Sequence, residues 1–319
     1  MGVIDTETKA YLSQPDKVAD AFNYWIYGGR EVIKPDELQP LDTTAIAIPY
    51  GNGNKESIQK FRDVLKLYTA MKDDRAYYLM LGIEIQAKVH YAMPVRNMLY
   101  DAMNYAEQVS NLATKHRQDK DKMTQEEFLS GLRKEDRLKP VITLVVSLSA
   151  EQCDGARSLH ELLAVEDKEL LRFVPDYKLN LLTPTQIADE DFAKFRTDFG
   201  TVMQFVKHQN DKSMDWMSGN NRAEDVDWET ASLIKTVTGI DIDIKKGESI
   251  NMWVAWENGI NQAEERGRDV GRSEGITSAR EESALAMFAD NVPVDKVAQY
   301  SKLSLQAATD IGKKHGYLQ

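Results

Sequence analysis

Cysteine is nearly absent: Cys153 stands alone in 319 residues. A single thiol excludes an internal disulfide and a zinc site built on paired thiolates. Histidine is scarce too, and His90, His116, His160, His208 and His315 lie far apart without metal-ligand spacing, which reads as surface or packing roles. Basic residues are outnumbered, 40 Lys and Arg against 51 Asp and Glu, for a formal charge of -11. Nonspecific affinity for nucleic acid rests on cations neutralising phosphates, so this balance excludes a surface that coats DNA indiscriminately and leaves room only for a local basic groove. Long apolar runs are missing as well. None approaches the roughly 20 residues of a membrane helix, and the first ten residues are polar and acidic rather than basic and then apolar. The expectation is a cytoplasmic protein with no membrane association.

Hydrophobic residues make up 42% and charged residues 29%, ordinary for a soluble globular chain, and the length suits one large domain with an appendage or two domains. Its most informative stretch is residues 61–89. Two runs rich in Val, Leu, Tyr and Ile flank the polar tetrapeptide Met71-Lys72-Asp73-Asp74, the pattern of two strands and a tight reversal. With Asp73 and Asp74 as loop residues, Lys72 faces Arg75, paired numbers sum to 147, and Asp63 lies opposite Glu84. Like charges directly opposite each other destabilise a sheet. Alternation adds Gln86 and Lys88 to the face of Glu84. Such a face suits a divalent cation held by Asp63 and Glu84, Mg2+ above all, with Mn2+ as a substitute. The same pattern also fits a hairpin whose acids face solvent.

The acid followed some twenty residues later by Glu-x-Gln after the apolar run Leu79 to Ile83 resembles the PD-(D/E)XK nuclease core. More closely it resembles the recombination-promoting nuclease, or nuclease family transposase, branch, in which Gln commonly replaces the Lys. Further matches follow in order: Arg62-Asp63-Val64, Gly82-Ile83-Glu84-x-Gln86, Met93-Pro94-x-Arg96 with Tyr100-Asp101 and Tyr105, and Val174-Pro175-Asp176-Tyr177-Lys178. The resemblance implies a mixed central sheet flanked by helices and a Mg2+-dependent endonuclease acting on double-stranded DNA. It implies metal ligation by Asp63 and Glu84, water orientation by Gln86, and an acidic helix residue at Asp20 reaching toward the metal. A neutral amide cannot take a proton, so base work falls to a phosphate oxygen, a second water or Lys88. On the residues alone, an Asp on a helix reads as solvated.

Along the chain, residues 1–14 read as a loose arm and 15–247 as the α/β nuclease domain with helical elaboration. Apolar spacing predicts a helix over 16–27, closed by Gly28-Gly29. Residues 34–54, with three prolines and Gly51-Asn52-Gly53, read as a loop with at most one short strand. A long helix is expected over 94–116, opened by Pro94. Arg96 in its first turn is placed to contact a phosphate, or to pair with Asp101 or solvent. Lys115 and Arg117 belong to a basic cluster that reads either as a solvated connection or as a DNA-facing strip. The β-branched run from Val141 to Leu148 predicts a strand buried on both faces. Helices are expected over 158–164, 189–207 and 226–237, and a further strand at Leu179-Asn180-Leu181-Leu182.

Residues 248–282 carry Gly267, Gly271 and Gly275 every four residues among charges, which fits an exposed helix or a linker. The formal match of Gly271-Arg272-Ser273-Glu274-Gly275 to a nucleophile elbow fails because no buried strand precedes it. Residues 283–319 read as a small helical tail with the outline of a helix-turn-helix, a surface for DNA or for pairing of chains into a homo-oligomer. A reading from another class keeps the fold without the chemistry: a catalytically inactive DNA- or protein-binding module.

Overall fold

The computed structural model describes residues 3–41, 44–47, 58–61, 64–72, 75–86, 89–211, 213–217 and 221–318. The chain divides into two compact units, Met1–Trp253 and Val254–Gln319.

The first unit is mixed α/β. It opens with α1 (Val3–Leu12) and α2 (Pro15–Tyr27). Residues 1–14 therefore correct the expected loose arm, since from Val3 onward they form a helix whose Thr8, Tyr11 and Leu12 are buried. The cause is tertiary: Tyr11 shares a 3.0 Å hydrogen bond with Thr230, and Thr236 donates to Glu7, both from a helix far along the chain. In α2 the apolar positions Val18, Ala19 and Phe22 are buried, as their spacing predicts. Gly28 ends the helix at φ +63°, a left-handed conformation that glycine adopts without a Cβ clash. Asn23 then folds the following chain back, donating to the Ile33 carbonyl and accepting from the Val32 and Ile33 amides.

Strands β1 (Leu38–Pro40), β2 (Thr44–Ala47), β3 (Ile58–Phe61), β4 (Val64–Lys72) and β5 (Arg75–Gln86) follow. The stretch expected to hold at most one short strand thus contributes two, because β1 pairs with β4 and β2 with β3, partners that periodicity does not reveal. Helix α3 (Met93–Asp119) crosses back, α4 (Gln125–Ser130) is closed by a Thr124–Glu127 capping box, and β6 (Val141–Ser147) carries the β-branched run. Short α5 (Lys168–Leu171) and β7 (Asn180–Leu182) complete the sheet elements. The main sheet has the order β1-β4-β5-β6-β7, antiparallel through β1, β4 and β5 and parallel through β5, β6 and β7.

The unit closes with α6 (Phe199–His208) and α7 (Trp228–Thr238). The helix expected over 189–207 is split. Its first part is a 3-10 turn, Asp189–Lys194, and Phe195 is extended before α6 begins. Two contacts explain the break: the Asp20 carboxylate captures the amides of Arg196 and Thr197, and Phe195 stacks on Tyr24 at 4.2 Å. A Cβ on Gly200 would come within 2.6 Å of the Phe195 Cβ, so glycine permits this approach. Residues 158–164 contain only the 3-10 turn His160–Leu162.

The second unit holds most of α8 (Met252–Ala289), then α9 (Val294–Ser301) and α10 (Leu305–Lys314). The glycine-spaced stretch is continuous helix. Ala284, Phe288, Val297, Ala298 and Ala308 form its core, with Ile311 and Leu318 packed against them. Lys302, left-handed at φ +55°, turns α9 into α10, and Ser304 caps α10 by accepting from the Ala307 amide. Among the described residues no helix is long and apolar enough to cross a membrane.

Candidate functional site

The β4–β5 ladder runs from Lys72↔Arg75 to Val64↔Ile83, every pair summing to 147. It reaches one pair short of Asp63 and Glu84. Asp63 and Lys88 lie outside the described residues, while Glu84 and Gln86 occupy β5, opposite Val145 and Ser147 of β6. Val64 and Ile83 are buried, which anchors that end of the hairpin.

Helix α3 lies along one face of the sheet, and three contacts set its level. Tyr105 accepts from the Val141 amide at 3.1 Å, Asp101 accepts from the Thr143 hydroxyl at 2.6 Å, and Met93 packs against Val145 and Leu181. Four helical residues rise about 6 Å and two strand residues about 6.6 Å, so helix and strand stay in step. Thr143 and Val145 therefore face α3, and their ladder partners in β5 are Gly82 and Glu84. The second Asp101 oxygen accepts from the Tyr177 hydroxyl at 2.6 Å, and Asn180 donates to the Thr143 carbonyl, which ties β7 into the same network.

Arg96 stands in the first turn of α3 with its guanidinium 5.5 Å from the Tyr100 ring centre and Nε donating to the Tyr100 hydroxyl at 3.3 Å. Lys115 and Arg117 are exposed near the other end, where Arg117 donates to the Ala113 carbonyl and the Thr114 hydroxyl of its own helix. From Arg96 to Lys115 the helix rises about 28 Å. These three cations are not brought together in one pocket; only an extended ligand reaches both ends.

Asp20 is 3% exposed. It accepts from the Arg196 amide (2.7 Å), the Thr197 amide (2.8 Å) and the Thr197 hydroxyl (2.7 Å). Burial raises its pKa and these donors work the other way. The structure thus assigns its carboxylate to holding the chain ahead of α6, a role invisible in the local sequence.

His116 and His208 are buried, as the packing reading expects, and each is also held by a pair of carboxylates. His116 meets Asp121 at 2.7 Å and Asp136 at 2.8 Å; His208 meets Asp211 at 2.6 Å and Asp189 at 3.0 Å, its ring stacked on Trp216. Among the described residues no group of three or more His, Cys, Asp or Glu is gathered to hold a metal ion. Asn97, on the buried side of α3 and 1% exposed, has no hydrogen-bond partner for Oδ1 or Nδ2 among the described residues. No protein-family model, curated protein or solved structure matches the chain.

Proposed function

We propose that the chain is a metal-dependent endonuclease that hydrolyses phosphodiester bonds of double-stranded DNA on a PD-(D/E)XK-like core. The observation that supports this reading best is the hairpin register: the observed pairing, summing to 147 throughout and ending at Val64↔Ile83, is the one from which the sequence pattern predicts Asp63 opposite Glu84. A strand order in which an antiparallel hairpin continues through α3 into a parallel strand agrees with it.

In this reading Asp63 and Glu84 would hold Mg2+, or Mn2+ in its place. The donor set suits the ion, since Mg2+ takes one or two carboxylates and completes its shell with water and substrate phosphate. When bound, the ion supplies positive charge at the reacting phosphate and lowers the pKa of a bound water. Gln86 orients the attacking water through its amide, the proton passes to a phosphate oxygen, a second water or Lys88, and Arg96 contacts a phosphate oxygen, the geometry guanidinium serves best. Lys115 and Arg117 touch the backbone farther along the duplex. A cytoplasmic location, a part in DNA recombination, and DNA contact or self-association through α9 and α10 belong to the same proposal.

A second reading is favoured by Asp20, whose carboxylate is taken up by the 196–197 segment. With that acid used in folding, the chain becomes a DNA- or protein-binding module without catalysis. Plasmid cleavage by the purified chain in Mg2+ or Mn2+ separates the two. Loss of cleavage in both Asp63→Ala and Glu84→Ala, with unchanged circular dichroism, is expected for the nuclease; equal cleavage by either variant removes it.

A further inference from the structure

We infer that Asn97 belongs to the same site as Glu84, where its amide hydrogen-bonds to the hydration shell of a divalent cation. The inference rests on the nuclease reading and adds to it a residue that none of the motifs pointing to that reading contains.

Asn97 is 1% exposed, and both Oδ1 and Nδ2 lack a hydrogen-bond partner among the described residues. Buried amides are almost always paired, because each unpaired polar atom retains its full desolvation cost. A leucine or methionine would fill such a position on a sheet-facing helix more stably. A buried amide kept without a partner therefore calls for a ligand.

Its place says which ligand. One helical turn on, Asp101 is fixed to Thr143; one turn back, Met93 packs on Val145. Asn97 therefore lies between the levels of Thr143 and Val145, whose ladder partners are Gly82 and Glu84. Position 84 is the β5 ladder partner of Val145, a residue packed against α3, and Gly82 adds no side chain beside it. An amide both accepts and donates, so Oδ1 suits the polarised water of a hydrated cation and Nδ2 a phosphate oxygen. Mg2+ keeps several of its waters when bound. Partners that orient such ligands typically account for about 10–100-fold in metal affinity.

The test uses the full chain, with Ca2+ as a probe that need not support cleavage, and Asn97→Leu and Asn97→Ala as variants. The inference expects Asn97→Leu to melt at a higher temperature than the parent without metal. Its Ca2+ affinity by calorimetry should fall about 10–100-fold, with a matching loss of Ca2+-dependent melting shift. Should the leucine not fit, Asn97→Ala gives the same reading of affinity. If either folded variant binds Ca2+ as the parent does while Glu84→Gln does not, Asn97 is a packing residue and this inference alone falls. If the parent binds no Ca2+, Mg2+ or Mn2+ and Glu84→Gln changes nothing, the nuclease reading falls and takes this one with it.

Discussion

Thr143 on β6 donates its hydroxyl to Asp101 on α3 across 2.6 Å, and this contact joins the crossover helix to the centre of the sheet. Asp101 also receives the Tyr177 hydroxyl. Replacing Asp101 by Ala leaves two buried or half-buried hydroxyls without their acceptor. The expected cost is about 3–6 kcal/mol, since hydrogen bonds to a charged group are each worth about 1.5–3 kcal/mol. Urea unfolding of Asp101→Ala and of Thr143→Val measures it, with Thr143→Val the milder because Tyr177 keeps its partner.

His116 makes a prediction about pH. Each ring nitrogen faces a carboxylate, so only the imidazolium donates to both, and the bonds to Asp121 and then Asp136 raise its pKa above 6.5. A raised folded pKa contributes stability that is complete below the unfolded value and is lost as pH rises through the folded one. Asp136 behaves in the opposite sense. Burial would raise its pKa, but the Arg133 amide and His116 together hold it below 3.8, so its contribution fades only as pH falls through that depressed value. The α3–α4 corner should therefore be firmest from about pH 4 to 6.5. NMR titration of the His116 ring should show a midpoint above 6.5, and His116→Gln should flatten the stability profile on the alkaline side of that value.

Asp20→Ala should unfold at lower denaturant, by at least about 4 kcal/mol, since it loses three hydrogen bonds to a carboxylate worth about 1.5–3 kcal/mol each. Its metal-linked melting shift should match the parent's. A parent-like stability combined with a lost metal response would instead restore Asp20 to the metal site.

Gly267, Gly271 and Gly275 sit within α8 with nothing within 4 Å of the point where an alanine methyl would stand, so alanine fits each of them freely. Glycine costs about 0.5–1 kcal/mol relative to alanine in a helix interior. The triple alanine variant should raise the melting temperature of the helical signal, followed by circular dichroism at 222 nm.

The hairpin was legible because a polar tetrapeptide between two apolar runs determines both the turn and the pairing that follows from it, and Lys72↔Arg75 is the observed first pair. Helix α3 and strand β6 were legible from Pro94 and from the β-branched run. What escaped depends on partners distant in sequence. The N-terminal helix is held by Thr230 and Thr236, β1 is a strand only because β4 lies beside it, and the helix expected across 189–207 breaks where Asp20 takes two of its amides. Of the proposed site, Glu84 and Gln86 fall in β5 as ladder partners of Val145 and Ser147 in β6, while Asp63 and Lys88 lie outside the described residues. Asn97 gave no signal, because an amide within an apolar helical stripe becomes notable only once its burial and missing partners are seen.

The parallel pairing of β5 with β6 also bears on the order of folding. An antiparallel hairpin such as β4–β5, whose pairing starts at Lys72↔Arg75, closes on a scale of about 1–10 μs, whereas β6 must be recruited across the whole of α3 and α4, at an entropic cost that grows with the length closed. Strand β5 therefore gains one neighbour early and the other late. A nascent chain would complete the β4–β5 hairpin long before β6 can dock beside it, so the parallel half of the sheet should assemble only after residues 141–147 have left the ribosome.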